Sequence, residues 1–245
     1  MSDLDEIKNE VATACRIIGR LGLTREPNGH VSARVPGTEH IVIKARGRGE
    51  VALSYVEVSD LAVVDMDGNF VSGREGLASP AEVYIHTQVY RARPEINAAI
   101  HIHPANVVAF TIAERGLKPI IGAYNPQALR IVTDGLPLYP RSILINSAER
   151  GDDLVQTMGQ ARACLMRGHG ITTAGATVEE AVLIAAHLNE LAELSWKAEL
   201  LGGANPISDA DIADFARNLN APRATSDTPI GPHGAEWRYY VSRLL

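Results

Sequence analysis

Ala98-Ala99-Ile100-His101-Ile102-His103-Pro104 is a short apolar run that closes on two alternating histidines and a proline. Four to eight apolar residues bounded by a breaker suit a strand covered on both faces, and residues two apart in a strand point the same way. His101 and His103 therefore project together. Proline suits the first turn of a helix, so Pro104 can end the strand and open a helix over 105–114, leaving both imidazoles at the strand's carboxyl end. In an open α/β sheet ligands usually bind at that edge. Spacing alone leaves two readings, a metal site or two histidines hydrogen-bonded at a sheet edge, and a metal needs a third ligand from elsewhere.

Working outward, the buried-looking strand 163–166 is interrupted by Arg167-Gly168-His169-Gly170 and resumes over 171–174. Glycine on both sides of a histidine lets the backbone approach whatever the imidazole binds, although a bulge at a tight junction accounts for the glycines equally well. His169 is the candidate third ligand. Upstream, Ser79-Pro80-Ala81-Glu82 reads as a helix start, with Ser79 as N-cap, Pro80 in the first position and Glu82 in the third. Glu82 is then a capping-box carboxylate. It also shares a helix face with His86 four residues on, so the two can touch one site.

The remaining pattern is that of one α/β domain rather than two small ones. Apolar residues at three- and four-residue spacing predict an amphipathic helix over 4–21. Asn28-Gly29-His30-Val31-Ser32-Ala33-Arg34 leads into a hairpin, with a turn at 36–39 and a second strand over 40–44. Arg46-Gly47-Arg48 places two guanidinium groups on a flexible loop, where they can clamp an anionic substrate or remain solvated. Further strands are expected over 61–65 and after the Asp67-Gly68 turn, and short ones over 117–121 and 136–139. Helices are expected over 146–159, over 178–201 behind a Thr177-x-x-Glu180 cap, and over 209–219. The stretch 220–234 reads as a polar, proline-rich loop. Trp237-Arg238-Tyr239-Tyr240 follows, and Tyr239 can pack an interface or close over a substrate.

Composition excludes several classes. The 245 residues carry a net charge of -6 with 46% hydrophobic residues, and the pI is near 5.8. No basic block suited to tracking phosphates is present, which argues against a nucleic-acid partner. A secretory leader and a membrane span are both missing from the pattern, so a cytoplasmic protein is expected. Cys15 and Cys164 lie far apart on apolar faces and read as reduced core residues.

In their order along the chain, Gly29-His30-Val31-Ser32-x-Arg34, Ser79-Pro80-Ala81-Glu82 with His86, Ile100-His101-Ile102-His103 and Gly168-His169-Gly170 resemble the class II aldolase/adducin family. The resemblance covers roughly residues 4–201. It implies a three-layer α/β/α fold with a central, largely antiparallel mixed sheet, and a homotetramer with active sites at subunit interfaces. The stretch 203–245 is then a C-terminal extension packing at such an interface. The resemblance also implies one divalent metal per subunit, zinc or manganese, on His101, His103 and His169. Glu82 serves as a fourth ligand or as the catalytic acid/base.

The sugar-phosphate aldolases of that family hold phosphate with hydroxyls and backbone amides. The matching positions here read Gly29-His30, Ala45-Arg46-Gly47 and Pro80-Ala81, whose imidazole and guanidinium suit a carboxylate. Leu21-Gly22-Leu23-Thr24-Arg25 and the later Arg46-Gly47-Arg48 look most like the decarboxylase branch, which acts on hydroxylated aromatic or pyridine dicarboxylates. The expected activity is metal-dependent, non-oxidative decarboxylation, with Glu82 as proton donor. Arg46 or Arg48 holds the carboxylate that stays, and His30, beside Ser32, orients the other. Aldol cleavage of an unphosphorylated hydroxy-keto acid needs nearly the same apparatus, and a non-catalytic adducin-like scaffold would need none of the metal ligands.

Overall fold

A computed structural model of the chain describes residues 2–220 and 234–244. It opens on α1 (Asp3–Arg20), where Ser2 and Asp5 form a capping box and Val11, Cys15 and Ile18 are buried along one face, as their spacing predicts. The expected hairpin follows as β1 (His30–Arg34) and β2 (His40–Lys44). β3 (Arg46–Gly47) comes next, then two single turns of 3-10 helix, β4 (Leu61–Asp65), β5 (Phe70–Ser72) and β6 (Leu77–Ala78). α2 (Val83–Ala92) stops just before Arg93-Pro94, since the residue ahead of a proline is pushed out of helical geometry. β7 (Ala98–Ile102) and α3 (Ala105–Ile112) are joined through Pro104, the N-cap. α4 (Pro126–Thr133), β8 (Leu138–Tyr139), α5 (Ala148–Met158), β9 (Ala163–Met166) and β10 (Gly170–Gly175) complete the sheet. α6 (Val178–Leu200), α7 (Asp209–Asn220) and α8 (Ala235–Ser242) close the described chain.

Eight strands form one sheet in the order β5-β4-β2-β1-β7-β10-β9-β8, antiparallel throughout except for the parallel pair β8 and β9. β3 and β6 make a separate two-stranded ladder. Helices α1, α3, α4 and α6 contribute to the apolar cluster on one side of the sheet, and α2 and α5 to the cluster on the other. This is the three-layer α/β/α arrangement with a largely antiparallel mixed sheet.

β7 is central and fully buried. Ile100 and Ile102 enter the larger cluster, Ala99 the smaller. Side chains alternate across a strand, so His101 falls on the same side as Ala99, toward α2. Each fully buried isoleucine contributes about 1.5–3 kcal/mol, which fixes the register and with it the face on which His101 emerges.

Four expectations are corrected. Residues 117–121 are irregular, and α4, amphipathic and capped by Asn125, occupies a region read as loop. The segment 163–174 is a hairpin that reverses at Gly168, whose φ of +58 suits glycine. The helix read as starting at Pro80 starts at Val83, because Ala81 and Glu82 form a turn. Cys15 and Cys164 are free and buried, as expected. The loop expected over 220–234 falls largely outside the described residues.

Candidate metal centre

Three elements deliver four ligand-type side chains to one point. His101 comes from the end of β7, His103 from the residue beyond it, His169 from the β9–β10 turn and Glu82 from the N-cap of α2. One ligand atom from each lies within 4.8 Å of those of the others. The backbones can come this close because β10 begins with glycine. A Cβ on Gly170 would sit 2.2 Å from the Ile102 carbonyl oxygen and 2.7 Å from His103 Cδ2.

Hydrogen bonding orients the donors. His101 Nδ1 donates to the Ile171 carbonyl at 3.1 Å, which leaves a lone pair on Nε2. His103 Nε2 is 3.1 Å from that nitrogen. Glu82 Oε1 accepts the Ile145 N–H at 2.8 Å, so Oε2 is left for the cluster, 3.6 Å from His101 Nε2 and 3.5 Å from His169 Nε2. His169 Nδ1 is buried without a hydrogen-bond partner. Lone pairs and a carboxylate converging in a buried place repel one another unless a cation lies among them. Three imidazoles and one carboxylate are the donor set for a divalent ion such as zinc or manganese, so the residues fit the metal.

The electrostatics agree. Burial, reinforced by the neighbouring His101 and His169, lowers His103 to about 3. Burial also lowers His101, with Glu82 partly opposing it. Both rings stay neutral at neutral pH, the form that ligates. For Glu82 burial works against the charge, while the Ile145 amide and any proton carried by the facing His101 and His169 nitrogens favour it, so the carboxyl lies below the usual carboxylate range.

Glu82 is therefore no capping carboxylate. It makes no cap hydrogen bond, and the Ser-Pro-Ala-Glu signal imitated a cap because the same residues form the turn that aims Oε2 at the histidines.

The expected substrate-binding residues divide. His30 pairs with His101 across β1 and β7, and its ring centroid is 5.3 Å from that of His101. Arg46 is exposed and donates from Nε to the Ser79 carbonyl at 2.8 Å, while β3 pairs with β6, so the arginine loop is tied directly to the segment carrying Glu82. Arg48 is exposed on the same loop. Ser32 does not face a substrate. It is fully buried, with its hydroxyl between His86 and Tyr90. Tyr239 stands 55% exposed over the end of α1, beside Ile17, Arg20 and Leu21, in a cavity of about 290 Å³ that none of the four clustered residues lines. Within one chain it is not part of the centre. Sequence reasoning missed Tyr90 and the Ile145 amide. Tyr90 carried a weak signal, lying four residues after His86 on the same helix face.

Comparison with known proteins agrees with this geometry. Residues 9–196 match the family model described as class II aldolase and adducin N-terminal domain. The chain is 37% identical to a 3,4-dihydroxyphthalate decarboxylase of Arthrobacter keyseri over 97% of its own length and 93% of that protein's. For the enzyme of the same name from Rhodococcus jostii the figures are 34%, 99% and 97%. Among solved structures, an aldolase II superfamily protein from Pseudomonas syringae superposes with a TM-score of 0.81 at 24% identity, covering 98% of this chain and 92% of that one. An L-fuculose 1-phosphate aldolase from Glaciozyma antarctica gives 0.77 at 22%, covering 97% and 86%. With three-quarters of its length under the family model and its histidines and glutamate gathered as described, this chain belongs to the class II aldolase and adducin family.

Proposed function

We propose that this chain is a metal-dependent carboxy-lyase that removes carbon dioxide, without oxidation, from a hydroxylated aromatic dicarboxylate of the dihydroxyphthalate kind. The observation that carries the reading is the buried Glu82 carboxylate set against three imidazoles, in a chain related over nearly its whole length to decarboxylases of such compounds. His101, His103 and His169 would hold the metal, with Glu82 beside it. A divalent ion there supplies Lewis-acid stabilisation of negative charge on a ring oxygen.

Glu82, ionised at rest, accepts the proton released by a ring hydroxyl when substrate enters. It then delivers that proton to the carbon bearing the adjacent carboxylate. The bond to that carboxylate breaks, its electron pair restores the aromatic ring, and carbon dioxide leaves with a hydrogen in its place. The ring oxygen regains a proton from water as product departs. Arg46 and Arg48, on the loop tied to the Glu82 segment, hold the carboxylate that stays. His30 orients the one that goes.

The proposal extends to a cytoplasmic homotetramer forming one domain per chain, with the 203–245 extension packed between subunits and the exposed Tyr239 available to a neighbour's centre. Among the described residues no helix is long and apolar enough to cross a membrane.

The test is carbon dioxide release from a panel of hydroxylated phthalates and pyridine dicarboxylates, with zinc- or manganese-loaded protein. Glu82→Gln keeps an oxygen for the Ile145 amide and should fold, while turnover drops by roughly 10²- to 10⁴-fold. Aldehyde release from hydroxy-keto acids, with no carbon dioxide from the panel, would refute the decarboxylase reading.

A further inference from the structure

Behind the metal centre, four buried side chains form an unbroken line of hydrogen bonds, of which the chemistry above uses only His30. His30 Nδ1 lies 2.7 Å from His86 Nε2, His86 Nδ1 lies 2.6 Å from Ser32 Oγ, and Ser32 Oγ lies 2.7 Å from the Tyr90 hydroxyl. His86 and Ser32 are fully buried, and Tyr90 nearly so. The far end is packed shut by Arg34, whose guanidinium sits 4.8 Å from the Tyr90 ring centroid and donates to the Ile96 and Tyr90 carbonyls.

One hydrogen occupies each contact, so its position in one contact dictates its position in the next. Ser32 has a single proton to give. Its alternatives are the His86 nitrogen at 2.6 Å, the Tyr90 oxygen at 2.7 Å and the Ala99 carbonyl at 3.4 Å, and the shortest contact takes it. Tyr90 then donates to Ser32. His86, accepting at Nδ1, carries its own proton on Nε2 and donates to His30 Nδ1. His30, accepting at Nδ1, carries its proton on Nε2. That nitrogen has no hydrogen-bond partner among the described residues, yet it is not one of the sealed-off polar atoms, so it keeps some exposure to solvent.

We propose that Ser32, acting through His86, locks His30 in the tautomer protonated on Nε2, making it a fixed hydrogen-bond donor to one carboxylate of the substrate. The other tautomer would need the hydrogens at the His86 contacts to reverse together and would send the Ser32 proton to the Tyr90 oxygen or to the distant carbonyl. It would also present a lone pair to an anion. Ser32 and His86 are positioning residues. The identity of the ligand rests on the decarboxylase reading, whereas the tautomer does not.

The test joins a spectroscopic readout to a binding one. In metal-free and metal-loaded protein labelled with 15N-histidine, His30 and His86 should each show a protonated-type shift at Nε2 and an unprotonated-type shift at Nδ1. Ser32→Ala removes the donor, frees His86 to turn toward the Ala99 carbonyl, and should reverse both rings. Calorimetric affinity for phthalate, used as a non-reacting dicarboxylate, should fall roughly 10- to 100-fold, as expected for loss of a hydrogen bond to a charged group. KM for the substrate should rise by a similar factor, with kcat changed less. Tyr90→Phe keeps the Ser32 proton on His86 and should leave the tautomers as in the wild type. Wild-type His30 protonated on Nδ1 overturns the proposal without any variant, as does a folded Ser32→Ala protein with unchanged tautomers and phthalate affinity. No carbon dioxide from any dicarboxylate, with the tautomers as stated and phthalate bound, would instead refute the decarboxylase reading and leave this inference standing.

Discussion

Gly170→Ala isolates the close approach on which the centre depends. Gly170 has no positive φ, so alanine meets no backbone strain there and the whole effect is steric. The new Cβ would lie 2.2 Å from the Ile102 carbonyl oxygen, where ordinary contact begins near 3.4 Å, so β7 and β10 must part by about 1.2 Å at this end. The oxygen belongs to backbone inside the sheet and cannot turn aside as a flexible side chain can. Losing one or two ladder hydrogen bonds at about 1 kcal/mol each and straining a packed core by about 1–3 kcal/mol together destabilise the fold by about 3 kcal/mol. For a chain of this length that lowers Tm by roughly 6–12 °C. Thermal unfolding of metal-free protein reads this directly. Gly116→Ala is the control: no atom lies within 4 Å of its Cβ position and its φ is not positive, so it should be neutral or stabilising by about 0.4–1 kcal/mol. The same Cβ would press on His103, so metal affinity should fall alongside stability. Equal melting temperatures and metal affinities for Gly170→Ala and Gly116→Ala would show that the approach of β10 to β7 does not shape the site.

Other outcomes follow from the same geometry. His101→Ala and His169→Ala should each lose bound metal in an elemental assay, with affinity reduced by more than the roughly 10- to 100-fold that removing a supporting partner costs. Full metal content in both variants would eliminate the centre proposed here. Metal-free protein should lose stability on acidification. Burial first, then the neighbouring His101, lowers His86 from 6.5 to about 3, so between those values the unfolded chain holds a proton that the folded one does not. Stability from this group is complete above pH 6.5 and falls as pH drops, by up to about 1.4 kcal/mol per pH unit. Urea midpoints that are the same at pH 5 and pH 7.5 would contradict it.

The central strand and its histidines were legible because a two-residue period and an apolar run translate directly into a covered strand with one functional face. His169 was legible from its flanking glycines, although the hairpin they serve was not, since the turn at Gly168 depends on a positive φ that sequence does not display. Glu82 was read for the wrong reason. Ser79-Pro80-Ala81-Glu82 carries every mark of a cap, and only the Ile145 amide, 63 residues away, shows where the carboxylate goes. Ser32 was placed among the substrate contacts because it shares a motif with His30, and its actual partners, His86 and Tyr90, lie 54 and 58 residues on. Such pairings come from the stacking of α2 on β1 and β7, which local pattern does not encode. α4 was hidden among prolines and glycines that signalled loop.

The strand order also sets when this centre can exist during synthesis. β1 can pair with β7 as soon as β7 leaves the ribosome, but the other edge of β7 waits for β10, which begins 68 residues after β7 ends. Until then this fully buried central strand presents an unpaired edge, a template for the wrong partner. His169 arrives with the very hairpin that covers that edge. A nascent chain thus has Glu82 and two of the three imidazoles in place, and the candidate donor set is completed only as the sheet closes.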